Sequence, residues 1–110
     1  EKGYRLVSNV IFKKILEMSR DLAKDNGAKF YFVYLPTYES LKSENQGKDR
    51  HQKSEILSII KELNVNLIDI KDIVLKNEIN YLNLFPCEVC HYSVEGYKKI
   101  TNLIYDETLN

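Results

Sequence analysis

Residues 29–36 constrain the fold more than any other part of this 110-residue chain. Between Lys29 and Pro36 this stretch contains only aromatic and aliphatic residues, with no polar residue alternating among them. Such a run predicts a β-strand that is buried on both faces, as a central strand of a parallel sheet is. Parallel strands are joined by helical crossovers, so the stretch favours an α/β fold.

The segments on either side of this strand show helical patterns. Apolar residues spaced three and four apart predict an amphipathic helix before the strand, ended by Gly27, and a second helix after it. The first apolar stripe consists of Val7, Val10, Ile11, Ile15, Met18 and Leu22, and the second of Ile56, Ile59, Ile60 and Leu63. The polar residues 37–50 predict an irregular loop with room for a short helix.

The second half of the chain repeats the alternation. Residues 65–70 predict a second strand, residues 71–77 a short helix and residues 80–91 a loop. Ser93 suits the N-cap of a last helix, with Glu95 in its first turn. The residues of that helix predicted to face inward are Tyr97, Ile100, Leu103 and Ile104. We further expect Tyr31, Tyr34 and Tyr97 to pack in the core, Tyr38 and Tyr92 to lie near a pocket, and Asp69 and Asp72 to cap the turn after the second strand.

Two strands are too few for a parallel sheet with helices on both faces. We therefore expect residues 1–110 to form a single domain or segment, part of a three-layer α/β/α sandwich whose N-terminal portion is missing. An incomplete sheet leaves an unpaired strand edge, so self-association through that edge is expected.

The composition excludes several classes of protein. With 44% hydrophobic and 29% charged residues, the chain has the balance of a globular protein and not of a disordered one. Its 16 basic and 16 acidic residues cancel, so it has no net positive charge to attract nucleic acid. The longest apolar run is far shorter than the roughly 20 residues needed to cross a bilayer. Neither nucleic acid nor a membrane span is therefore expected, and no compartment is indicated.

Three stretches, in this order, resemble blocks of the SGNH/GDSL hydrolase family. Residues 91–100 begin with His91, continue through Ser93, Glu95 and Gly96, and lead into an amphipathic terminal helix, as in the last block of that family. Residues 25–36 are similar to its helix-to-strand step that ends in proline, and residues 64–72 to the strand and turn before the histidine block. The resemblance spans nearly the whole chain and implies a flavodoxin-like sandwich.

The resemblance also implies a function. In that family a histidine activates a serine that attacks an acyl ester, and an aspartate three residues before the histidine orients the ring. By position, His91 matches the base and Glu88 takes the place of the aspartate. The serine and the oxyanion-hole donors of the family would precede residue 1, so the segment alone is expected to be inactive. The implied substrate is an acyl ester of a glycan or lipid, cleaved by an esterase or transferred by an O-acyltransferase, without cofactor or metal.

The stretch Cys87-Glu88-Val89-Cys90-His91 leaves other functions open. It matches the pattern that attaches c-type haem, for which Met18 or His51 would be the second axial ligand of an electron carrier. A zinc site at Cys87, Cys90 and His91 would lack a good fourth ligand. The two cysteines are otherwise a pair of thiols or, in an exported protein, a disulfide. A catalytically silent module that retains the fold is the remaining alternative, and His51 is interpreted as a solvated helix residue.

Overall fold

A computed structural model describes residues 2–42 and 46–109 of the chain, and the side chains of residues 8–42 and 52–109. In chain order its helices and strands are α1 (Lys2–Asp25), β1 (Tyr31–Tyr34), α2 (Tyr38–Leu41), α3 (Gln46–Glu62), β2 (Asn66–Asp69), α4 (Ile70–Lys76), a 3-10 helix (Tyr81–Asn83) and α5 (Val94–Thr108). β1 and β2 pair in parallel in a two-stranded sheet. The predicted alternation and the mixed α/β class are thus confirmed.

Local patterns account for most of these boundaries. After α1 the chain turns at Gly27, which has a φ of 69°, a value that glycine adopts without steric cost. The predicted loop over residues 37–50 is wrong at its end, because α3 already begins at Gln46. Residues 46–53 lack apolar residues, so no hydrophobic periodicity marks this part of the helix.

The residues fall into two compact units. The first comprises the described residues up to Phe32 together with residues 51–67. Its core consists of Leu16, Ile60, Leu63 and Val65, and partly buried aromatic and aliphatic side chains pack against them. The guanidinium of Arg20 donates a 2.7 Å hydrogen bond to the carbonyl of Leu63, which satisfies a backbone acceptor just past the end of α3.

The apolar stripe of α1 does not face this core. Val10, Ile11, Ile15, Met18 and Leu22 are all 54–66% exposed, whereas Leu16 is buried and Phe12 packs edge-on against Phe32 with ring centroids 5.7 Å apart. β1 is likewise half-buried along its length and not buried on both faces as predicted. Among the described residues the sheet contains only β1 and β2, too few to enclose a central strand.

The second unit comprises the described residues between 33 and 50 and those from Ile68 onwards. The buried apolar residues in it are Pro36, Leu41, Ile68, Ile70, Val74, Leu84, Phe85 and Ile100. The Asp69 carboxylate caps α4 by accepting from the Asp72 amide at 3.1 Å, and Ser93 caps α5, as predicted. Tyr97 is half exposed, so its predicted place in the core is wrong, while Ile100 is buried as expected.

Candidate active site

The predicted site residues lie on the segment between the 3-10 helix and α5. We call residues 85–93 the His91 loop. Near its start, a disulfide joins Cys87 and Cys90, whose Cα atoms are 5.2 Å apart. At its end, the Ser93 hydroxyl accepts a 2.9 Å hydrogen bond from the Gly96 amide, and the Ser93 amide donates to the Leu84 carbonyl at 2.9 Å. His91 therefore lies between a covalent closure and a helix cap.

Tyr92 fixes the loop to the end of the first strand. Its hydroxyl donates a hydrogen bond to the carbonyl of Pro36, two residues beyond the last residue of β1. Its ring also stacks on Phe85, with centroids 4.4 Å apart and planes inclined by 27°. Because the loop backbone continues directly from His91 to Tyr92, this anchor ties the chain next to His91 to the segment that follows β1.

A cluster of aromatic rings packs around Tyr92. Phe85 is buried and contacts Tyr38 of α2 edge-on at 5.7 Å on one side and Tyr92 on the other. Tyr38 also meets Tyr81 at 5.4 Å, and Tyr92 meets Tyr97 of α5 at 5.5 Å. Contacts of this kind each contribute roughly 0.5–1.5 kcal/mol beyond the area they bury. These contacts place Tyr92 inside a packed cluster of aromatic rings, against which the His91 loop lies.

The structure does not join the two predicted catalytic side chains. His91 is exposed, and no hydrogen bond or ion pair connects it to Glu88 in the part of the chain that is described. The Glu88 carboxylate is 68% exposed and lies 3.7 Å from the ammonium of Lys42 instead. The same ammonium lies over the Tyr38 ring, 5.6 Å from its centroid, so Lys42 also contacts the aromatic cluster. The orienting role of Glu88 therefore stays a prediction, and Lys42 is its observed partner.

The described serines do not supply a nucleophile for His91. The hydroxyl of Ser40 is held in a capping box with Thr37, that of Ser93 caps α5, and that of Ser19 donates to the Ile15 carbonyl at 2.8 Å. Ser8, Ser54 and Ser58 lie within α1 and α3, and Ser43 lies outside the described residues. None of the six described serines occupies a sharp strand-to-helix turn that would present a reactive hydroxyl.

The disulfide bears on the haem and zinc hypotheses. Both cysteine sulfurs are bonded to each other, so neither is free for a thioether or a metal bond in this structure. No cluster of three or more His, Cys, Asp or Glu side chains that could hold a metal occurs among the described residues. Of the two proposed second axial ligands, Met18 is exposed on α1, and the side chain of His51 lies outside the described residues.

We expect the Tyr92 phenol to stay protonated at alkaline pH where exposed tyrosines ionise. Burial, and secondarily the charge of Tyr97, raise the pKa of Tyr92 well above its ordinary value of 10.0. The unfolded chain then releases this proton first, so the free energy of unfolding is unaffected below about pH 10 and falls above it. Tyrosinate absorbance should show a late-ionising phenol that is lost in Tyr92→Phe, together with about 1 kcal/mol of stability at neutral pH.

Tyr97→Phe is the matched control for this titration. Tyr97 is half exposed, and the phenylalanine ring keeps its contact with Tyr92, so the late-ionising phenol should remain. Loss of that phenol in Tyr97→Phe but not in Tyr92→Phe would assign the buried hydroxyl to the wrong residue.

Searches against protein families, curated proteins and solved structures find no match to this chain. No helix of the described residues is long and apolar enough to cross a membrane.

The sequence patterns select His91, Glu88 and Tyr92, but they do not single out Lys42 or Phe85. Their importance arises from contacts across the fold, for which a single sequence carries no local signal.

Proposed function

We propose that this chain is the C-terminal part of an SGNH/GDSL-type serine hydrolase domain, a three-layer α/β/α sandwich that acts on acyl esters as an esterase or O-acyltransferase. His91 is its catalytic base, and the serine and oxyanion-hole donors belong to chain outside these 110 residues. The observation that carries the proposal is the hydrogen bond from Tyr92 to Pro36. It ties the residue after His91 to the carboxyl end of a parallel strand, where open α/β sheets bind their ligands.

The exposure of His91 suits this chemistry. A serine hydroxyl is a weak nucleophile at neutral pH unless an imidazole takes its proton during attack. The serine oxygen would bond to the ester carbonyl carbon while its proton passes to His91. The protonated His91 would then return the proton to the departing alcohol oxygen as the ester C–O bond breaks. Water or a glycan hydroxyl would then attack the carbonyl carbon of the acyl-enzyme and give its proton to His91. His91 would return that proton to the serine oxygen as the bond between the acyl group and the serine breaks.

The chain is fixed on both sides of His91. The disulfide fixes the loop before it, and the Tyr92 anchor and the Ser93 cap fix the chain after it. A fixed backbone is favourable for a catalytic base because a small displacement of a catalytic group costs a large part of the rate. Glu88 is exposed and its pairing with Lys42 is weak in water, so little free energy opposes the role in orienting His91 that the resemblance implies for it.

The half-buried state of β1 supports the sandwich. Parallel sheets occur almost only with both faces covered, so a half-buried aromatic and aliphatic strand fits a sheet that further strands and helices complete. Chain that completed the sheet would also bring a serine-bearing turn to the same edge as His91, because the carboxyl ends of parallel strands lie along one edge.

A fluorophosphonate probe tests the proposal, since it bonds only to activated serine hydroxyls. The longer protein that contains this chain should be labelled at one serine outside residues 1–110, and the 110-residue chain alone should not be labelled. Mass spectrometry of the labelled peptide identifies the site. Absence of labelling in a longer protein that is folded would favour the silent module, and labelling at a serine of the present chain would overturn the assignment.

A further inference from the structure

The apolar side chains that α1 turns away from its own core form a separate surface. We call Ile11, Ile15, Met18 and Leu22 the outer α1 face; all four are more than half exposed. Leu16 and Phe12, on an adjoining side of the helix, pack into the first unit. An open depression of about 560 Å³ lies on the outer face between Ile15, Met18 and Leu22, with Asp21 and Asp25 at its rim. Contiguous apolar surface of this kind is typical of an interaction site.

The spacing of the outer α1 face specifies a helical partner. Its residues follow one another at intervals of four, three and four, which are the a and d positions of two heptads. Side chains at this spacing form a narrow seam into which the knobs of a second helix fit. A second helix with the same spacing therefore fits this seam.

Charges on one flank of the seam identify the helix that fits. Lys14 and Asp21 each immediately precede a seam residue, Ile15 and Leu22, and so occupy equivalent positions one heptad apart. In an antiparallel pair of identical helices, Lys14 of each copy meets Asp21 of the partner subunit, so two attractive pairs form across one two-fold axis. In a parallel pair, Lys14 would instead lie toward the uncharged Ser19. The charges therefore favour the antiparallel arrangement.

We propose that the outer α1 face binds the same face of a second copy of this chain in an antiparallel helix pair. Ile15 then packs against Met18 of the partner subunit, and Ile11 against Leu22 of the partner subunit. Within α1, Lys14 lies 3.4 Å from Glu17 and Asp21 lies 2.9 Å from Arg20. The side chains of Lys14 and Asp21 are themselves 69% and 55% exposed, so both are open to a second copy of the chain. This interface is distinct from an unpaired sheet edge and does not depend on the proposed hydrolase activity.

Sedimentation equilibrium of the chain tests the interface. Two heptads bury a small area, so we expect a weak dimer with a Kd on the order of 10 μM. Ile15→Glu places a charge in the seam of both copies and should abolish the dimer at concentrations tenfold above that Kd. Val89→Glu, which changes a side chain that is 95% exposed on the His91 loop, should leave the Kd unchanged.

Charge reversal determines the orientation and provides a second variant whose seam is intact. Lys14→Glu sets like charges against Asp21 in both symmetric pairs and should raise the Kd about tenfold, and adding Asp21→Lys should restore it to within about threefold. Helix content by circular dichroism should be equal in all variants. A monomeric chain, a dimer that survives Ile15→Glu, or a Kd insensitive to Lys14→Glu would each overturn the proposal, the second of these indicating pairing through the sheet edge.

Discussion

In the serine hydrolase proposed above, replacing His91 by alanine should lower kcat/KM for a simple acetyl ester about 10³-fold or more. The reason is the role proposed for the imidazole, which is to take the serine proton in the step that forms the acyl-enzyme and to return it to the leaving group. Alanine removes both transfers and leaves only substrate binding and the oxyanion donors. The loss should appear in kcat, with a small change in KM, because the base acts in the transition state and not in substrate binding.

Three controls separate this loss from unfolding. Free imidazole should partly restore activity to His91→Ala, since the exposed position is open to solvent and can admit the missing ring. His51→Ala should retain the activity of the unaltered protein. Glu88→Gln should give a smaller loss than His91→Ala, because the Glu88 carboxylate is exposed and shared with Lys42. Full activity in His91→Ala would remove this residue from the mechanism.

Gly96→Ala should destabilise the chain by about 2 kcal/mol or more, the largest effect on folding that we expect from adding one methyl group. Gly96 lies in the first turn of α5, where a Cβ atom would collide with the carbonyl oxygen of Leu84 and come within 2.9 Å of its carbonyl carbon. The obstacle is a backbone carbonyl that also accepts a hydrogen bond from the Ser93 amide at 2.9 Å, so it cannot move without disturbing the bond that holds the N-cap residue of α5. The higher helix propensity of alanine, at most about 1 kcal/mol, does not offset the collision.

Gly27→Ala is the matched control for this substitution. No atom lies within 4 Å of a Cβ built on Gly27, so the cost there is limited to its φ of 69° and should be about 1 kcal/mol. Urea denaturation followed by circular dichroism measures both differences. Equal stability losses in the two variants would show that α5 can move away from Leu84 without loss of packing.

The elements of this fold could be predicted where the signal is local. Ser93 caps α5 and Asp69 caps α4 because a short polar side chain can reach amides two or three residues ahead in any context. Gly27 ends the first helical region for an equally local reason, its tolerance of positive φ. The start of α3 escaped prediction because its first residues are polar and lack the apolar periodicity on which the prediction depends.

The surroundings of the candidate site could not be predicted in the same way. Tyr92 finds the Pro36 carbonyl 56 residues away, and Glu88 finds Lys42 on a different segment of the second unit. Neither partner is marked by spacing or composition, because such contacts depend on how the chain folds back on itself. The sequence could place His91 and Glu88 three residues apart, but not say which group each side chain would meet.

The sequence alone determined the order of helices and strands, the helix caps and the histidine that the proposed chemistry needs. These features depend on neighbours within a few residues. Only the tertiary structure decided that the apolar stripe of α1 points away from the core, that Tyr97 is half exposed and that Tyr92 ties the His91 loop to the end of β1. Periodicity reveals that a helix has an apolar face, but the direction in which that face points depends on the packing of segments distant in the chain.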